Sequence, residues 1–191
     1  MKRVIKEICS TGLYLLVVLL VTYLIVTFVG QRTVVNGASM EPTLIGTSDQ
    51  DPDKVGDNLI VDKISYRFQD PERYDIVVFP FQYSDDFYIK RIIGLPGETL
   101  KIQDGLIYVK TEGTDWQVLR EGYGKEVMLD PGRAAEPVTL GEDEYFVLGD
   151  NRNNSADSRT ELVGNIRRED IIGKAWIRIW PLSRAGKLEH Q

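Results

Sequence analysis

The chain opens with one long apolar run and continues with many short ones. Residues 12–29, GLYLLVVLLVTYLIVTFV, carry no charge, and only Thr22, Thr27 and two tyrosines interrupt the hydrocarbon. At ~1.5 Å per residue, a helix over this run just crosses a bilayer core of about 30 Å. The run is apolar on every side and flanked by charge, which argues against a buried core helix. It is long for the apolar part of a cleaved export signal, and the nearest approximation to a cleavage site is Asn36-Gly37-Ala38. Lys2, Arg3 and Lys6 precede it and only Arg32 follows closely. The positive-inside rule then puts the N-terminus in the cytoplasm. The predicted organisation is a cytoplasmic segment over 1–11, a transmembrane anchor over 12–30 and an extracytoplasmic domain over 31–191.

From residue 31 onward, short β-branched and aromatic runs alternate with turn residues, as strands do. Such runs cover 33–35, 59–61, 76–79, 87–93 and 145–148. Two more, 100–102 and 106–109, flank Asp104-Gly105, a strong hairpin signal. Residues 171–180 alternate, with Ala175, Ile177 and Ile179 on one face and Lys174, Trp176, Arg178 and Trp180 on the other. No helical period appears outside the anchor. The fold class is mainly β: one N-terminal transmembrane helix, then a β-rich domain of packed sheets or a partly closed barrel. Residues 98–143 are rich in glycine, proline and charge and read as a small inserted β subdomain, and 49–56 as a polar surface loop.

Composition narrows the chemistry. The 191 residues carry a net charge of −6, which argues against a nucleic-acid partner. The single cysteine, Cys9, excludes an intrachain disulfide and a multi-cysteine metal site. The single histidine, His190, is the penultimate residue. If the chain does serine chemistry, lysine is the base. Ser39 stands between Gly37 and Pro42, at a bend after a short strand. Lys90 lies inside an apolar strand, sharing a face with Tyr88 and Ile92, while Arg91 shares the other with Ile89 and Ile93. A lysine accepts a proton only if its pKa falls from about 10.4, and a fall of ~3 units corresponds to about 4 kcal/mol, within reach of burial. Arginine does not deprotonate in this range. A third segment, 149–159, is dense in small polar side chains, with Asp157 and Arg159 as a candidate ion pair.

Taken in order, these segments resemble the bacterial type I signal peptidases. The matching residues are Ser39-Met40-x-Pro42-Thr43-Leu44, Asp62-Lys63-x-Ser65-Tyr66-Arg67, Asp75-Ile76-Val77-Val78-Phe79, Lys90-Arg91-Ile92-Ile93-Gly94-Leu95-Pro96-Gly97, and Gly149-Asp150-Asn151-Arg152 through Ser155-x-Asp157-Ser158-Arg159. The resemblance implies a membrane-anchored serine endopeptidase that removes signal peptides from exported pre-proteins. It implies Ser39 as nucleophile, Lys90 as general base, Ser155 as the hydroxyl that orients the lysine amine, and Asp157 with Arg159 as the brace of the active-site loop. The Ser39 amide would donate to the oxyanion. Some relatives add a side-chain donor two residues earlier, where this chain has Gly37. Val35, Asn36, Gly37 and Tyr88 would flank an extended substrate peptide. Small residues are expected first and third before the cut. No metal or organic cofactor is implied. The expected partners are signal peptides and the lipid bilayer, with Trp176 and Trp180 at the lipid interface, simply packed, or stacked with Lys174 and Arg178. A monomer is expected. Two other readings stay open: an anchored β-domain that binds secreted proteins without catalysis, and a serine–lysine protease that cuts itself or one dedicated client.

Overall fold

The computed structural model describes residues 2–24, 30–48, 50–124 and 126–190. The chain begins with helix α1 (Lys2–Leu24). Charge ends an apolar run but not a helix, so α1 extends back through the segment read as cytoplasmic. Its side chains from Leu13 to Val21 are exposed, as is Tyr23. Among the described residues no helix is long and apolar enough to cross a membrane. Residues 25–29 of the predicted anchor lie outside the described part, as does Asp49 of the predicted surface loop. Strand β1 (Gly30–Val34) starts at the residue where the anchor was predicted to end.

The rest is mainly β-structure with short 3-10 turns; the strands pair antiparallel, and an isolated bridge between Asn36 and Thr47 is parallel. Between β1 and the C-terminus run β2 (Asn58–Asp62), β3 (Ile76–Pro80), β4 (Phe87–Gly94), β5 (Thr99–Gln103), β6 (Leu106–Lys110), β7 (Gln117–Val118), β8 (Val138–Thr139), β9 (Glu144–Leu148), β10 (Ile166–Arg167), β11 (Gly173–Trp180) and β12 (Gly186–Lys187). The larger sheet has the order β1-β2-β11-β3-β4-β9-β10, with β12 added on β11, and the smaller has the order β7-β6-β5-β8. Both sheets are open. The partly closed barrel is therefore not formed: β1 and the two-residue β10 end the larger sheet at opposite edges instead of pairing.

Side-chain alternation distributes the core. Ile89 of β4 joins Val35, Met40, Leu44, Leu59 and Ile76 in one apolar cluster. Ile92 joins Val77, Phe79 and Val147 in a second. Ile93, Phe146 and Leu148 pack under Leu100, Ile102 and Ile107, so the smaller sheet is seated on the β4–β9 end of the larger one. Asp104 (φ 53°) and Gly105 (φ 75°) both adopt positive φ between β5 and β6, the geometry of the two-residue hairpin turn read from the sequence. Strand β11 breaks its predicted alternation. Register shifts between Ala175 and Ile177 and between Arg178 and Trp180 rotate the faces, so Ala175 is buried while Ile179 is 36% exposed.

Candidate active site

Ser39 is reached along a segment secured on one edge only. The Val35 N–H donates to Asp57 O at 2.8 Å, Thr47 N–H to Val35 O at 3.0 Å and Gly37 N–H to Thr47 O at 3.0 Å. Gly37 has φ +74°, a conformation that favours glycine, and it turns the chain toward Ser39. Buried Met40 and Leu44 then anchor the turn from below, with Leu44 N–H donating to Met40 O at 2.9 Å.

Lys90 arrives from the middle of β4, opposite Val77 of β3. Its Nζ lies 2.9 Å from Ser39 Oγ and 3.0 Å from Ile89 O. The Tyr88 ring centroid lies 4.9 Å away. Lys90 is 4% exposed, and among the described residues no carboxylate forms an ion pair with it. Burial pulls its pKa from the ordinary 10.5 down to about 8, against the opposing charges of Asp157 and Asp150. Those two carboxylates are engaged elsewhere. Asp150 receives a buried two-pronged bond from Arg91, at 2.8 and 2.7 Å. Asp157 receives Arg159 in the same way, at 2.8 and 2.9 Å, and also accepts the Gly149 N–H at 3.1 Å.

The segment 149–159 is tied to the serine turn. The Asn151 N–H donates to Ser39 O and its Nδ2 to Ala38 O, both at 3.0 Å. Gly149 faces Ser39 O and Ser155 Oγ so closely that a methyl group there would overlap both. Among the described residues, buried Ser155 Oγ has no hydrogen-bond partner, so the expected bond from Ser155 to the lysine amine is not made. The space that a Gly149 Cβ would fill is taken by Ser155 Oγ and Ser39 O.

A cleft of about 510 Å³ opens beside Ser39 and Lys90. Val35, Asn36, Gly37 and Tyr88 line it, together with Asp85 and Asp86. Tyr88 is stacked on Phe81 with centroids 4.5 Å apart. His190 serves a different place: its Nδ1 accepts the Ile76 N–H at 3.1 Å, and burial, aided by Lys174, pushes its pKa down to about 4. Trp176 and Trp180 are 44% and 48% exposed. Lys174 pairs with Asp75 and Arg178 with Asp57, and stacking of these cations on the two tryptophans, one of the alternatives read from the sequence, is not found among the described residues.

The structure thus brings Ser39, Lys90, Val35, Asn36, Gly37 and Tyr88 to one cleft, and joins Asp157 to Arg159 behind it. Sequence reasoning placed Asn151, Gly149 and the Arg91–Asp150 pair in the right segments but gave them no task. Nothing in a polar run distinguishes a side chain that reaches the serine turn from one that reaches water.

Residues 8–180 match the family profile described as signal peptidase, peptidase S26. The probable signal peptidase I-2 of Synechocystis sp. is 40% identical over 168 residues, covering 85% of this chain and 68% of that protein. Signal peptidase I P of Bacillus subtilis subsp. natto is 33% identical over 172 residues, covering 89% of this chain and 88% of that protein. A crystal structure of a signal peptidase I from Enterococcus faecalis is 32% identical, covers 56% of this chain and 97% of that one, and has a TM-score of 0.44. With the profile spanning most of its length, this chain belongs to the signal peptidase family, peptidase S26.

Proposed function

We propose that this chain is a serine endopeptidase that removes N-terminal signal peptides from exported pre-proteins, with Ser39 as nucleophile and Lys90 as general base. The observation that carries the assignment is a buried amine, its pKa lowered by burial to about 8, lying 2.9 Å from a hydroxyl at the side of an open cleft. Neutral Lys90 takes the Ser39 proton as Oγ attacks the scissile carbonyl. The tetrahedral oxyanion accepts the Ser39 N–H. The ammonium then protonates the leaving amine nitrogen as the C–N bond breaks, leaving an acyl ester on Ser39. Neutral again, Lys90 takes a proton from water as the water oxygen attacks the ester. The bond from Ser39 Oγ to the acyl carbon then breaks, the signal peptide leaves with a new carboxyl group, and the ammonium returns its proton to Ser39 Oγ.

The cleft walls fit an extended peptide. β9 pairs with β4 only from Arg91 onward, which leaves the same edge of β4 open over 87–90. Residues 35–37 face it with one edge unoccupied. A substrate entering as an added strand finds backbone partners on both sides. Asp157 and Arg159 brace the loop that holds Ser39 from behind. The anchor is proposed over 12–30, with the exposed apolar face of α1 in lipid, the domain 31–191 outside the cytoplasm, and 98–143 as its insertion. Half-exposed Trp176 and Trp180 suit a lipid interface. The direct test incubates the purified protein with a signal-bearing precursor and reads the new N-terminus. Wild type is expected to cut at one site and Ser39→Ala not at all; equal cleavage by both removes the assignment.

A further inference from the structure

We propose that Asn151 is a positioning residue that sets the direction of the Ser39 N–H, the donor to the oxyanion; the inference rests on the peptidase reading above. Asn151 holds the carbonyls on both sides of the nucleophile. Its N–H donates to Ser39 O at 3.0 Å, and its Nδ2 donates to Ala38 O at 3.0 Å. The nitrogen of the side-chain amide faces Ala38 O, since two oxygens would repel. The Glu41 N–H, at 3.1 Å, is the second donor to Ala38 O.

The Ala38–Ser39 peptide is trans. In a trans peptide the C=O and N–H lie in one plane and point in opposite directions. Whatever fixes the Ala38 oxygen therefore fixes where the Ser39 N–H points, which is away from Asn151. Among the described residues this N–H has no hydrogen-bond partner, so no bond of its own orients it. Gly37 offers no side chain to share the task. The clamp is itself rigid. Asn154 N–H donates to Asn151 O at 3.0 Å, Arg152 Nε donates to Gly149 O at 2.9 Å, and the neighbouring Asp150 is locked to buried Arg91. A donor held in place before reaction stabilises developing charge without reorganising, and losing one such donor typically costs about 10²–10³-fold in kcat. Losing only its orientation should cost less.

The test uses the full-length protein carrying Asn151→Leu, which keeps much of the volume and removes the donor without adding charge, and Asn151→Ala. Four measurements accompany them: kcat and KM on a signal-bearing precursor, the pH profile, and the affinities of a peptide aldehyde ending in alanine and of the same peptide ending in alaninamide. The aldehyde forms a tetrahedral adduct with Ser39; the amide binds without one. Expected are a fall in kcat of about 10- to 100-fold, KM unchanged within about twofold, an unmoved pH midpoint, and weaker aldehyde binding with alaninamide binding intact. In the wild-type protein the Ser39 amide proton should shift downfield when the aldehyde adduct forms. Near-normal kcat, equal weakening of both peptides, a moved pH midpoint or an unshifted amide proton would each overturn the proposal. Wild type that cuts normally beside unaffected variants removes this inference alone. Wild type as inert as Ser39→Ala removes the peptidase reading, and this inference with it.

Discussion

At Lys90, activity and stability pull against each other. A base must be uncharged, and its burial lowers the pKa to about 8. Activity should therefore rise about tenfold per pH unit up to a midpoint near 8 and level off above it. A flat profile from pH 5 to 8 would contradict the role of Lys90. The same depression has a stability consequence. Between about 8 and 10.5 the unfolded chain holds the lysine proton that the folded chain has lost, so stability rises with pH across that window. Below it, the buried charge costs about 3 kcal/mol. Lys90→Met should accordingly raise the melting temperature at pH 7, with the gain fading toward pH 10.5, while lowering kcat by about 10²–10⁴-fold or more. Thermal melts at the two pH values and single-turnover cleavage check both halves. A variant that is both active and unchanged in stability refutes the buried-base description.

The element that matters most is the loop 149–159, which touches the serine turn and the lysine's electrostatic surroundings together. Asp157 raises the Lys90 pKa through its charge. Asp157→Asn keeps the shape and removes the charge, so the midpoint of the pH–activity profile should move to lower pH. A midpoint that moves upward would show that Asp157 acts on the lysine in some other way. Gly149 packs against Ser39 O with no room for a Cβ. Gly149→Ala should displace the nucleophile and lower kcat by about 10²-fold, since a 1 Å misplacement can cost that much. Circular dichroism should show the β-sheets intact, and a variant of normal activity would mean that the loop yields without moving Ser39. Among the strands, legibility followed regularity. β2, β3, β4 and β9 were readable because alternating or continuous apolar residues mark them, and the β5–β6 turn because its two residues demand positive φ. β7, β8, β10 and β12, at two residues each, are too short for any period, and the faces of β11 are reset by bulges.

On the scale of the whole molecule, the apolar helix surface and the cleft stand at the two ends of one short connection. Ser39 follows β1 by a few residues, and β1 begins at Gly30. An anchor in lipid would hold the nucleophile near the membrane surface, where a tethered substrate meets it at high effective concentration. Removing residues 1–29 should leave a folded β domain that cuts a short soluble peptide within about twofold of the full-length rate. Cleavage of a precursor embedded in vesicles should fall by about tenfold or more. Equal loss on both substrates would mean that the helix supports the fold rather than locating it.

The residue types that carry the chemistry, the β character of the domain and the long apolar run were legible in the chain itself, because each is a local property of composition or period. Which of those residues meet was decided by tertiary structure. Ser39 and Lys90 are 51 positions apart in the chain, and a hydroxyl and an amine at that separation become a pair only when β1 and β4 are assembled into one sheet. The clamp of Asn151 on Ala38 and Ser39, the unpartnered hydroxyl of Ser155 and the open edge of the larger sheet arise in the same way. Hydrogen bonds act over about 3 Å, and no pattern along a sequence records which distant atoms will be brought that close.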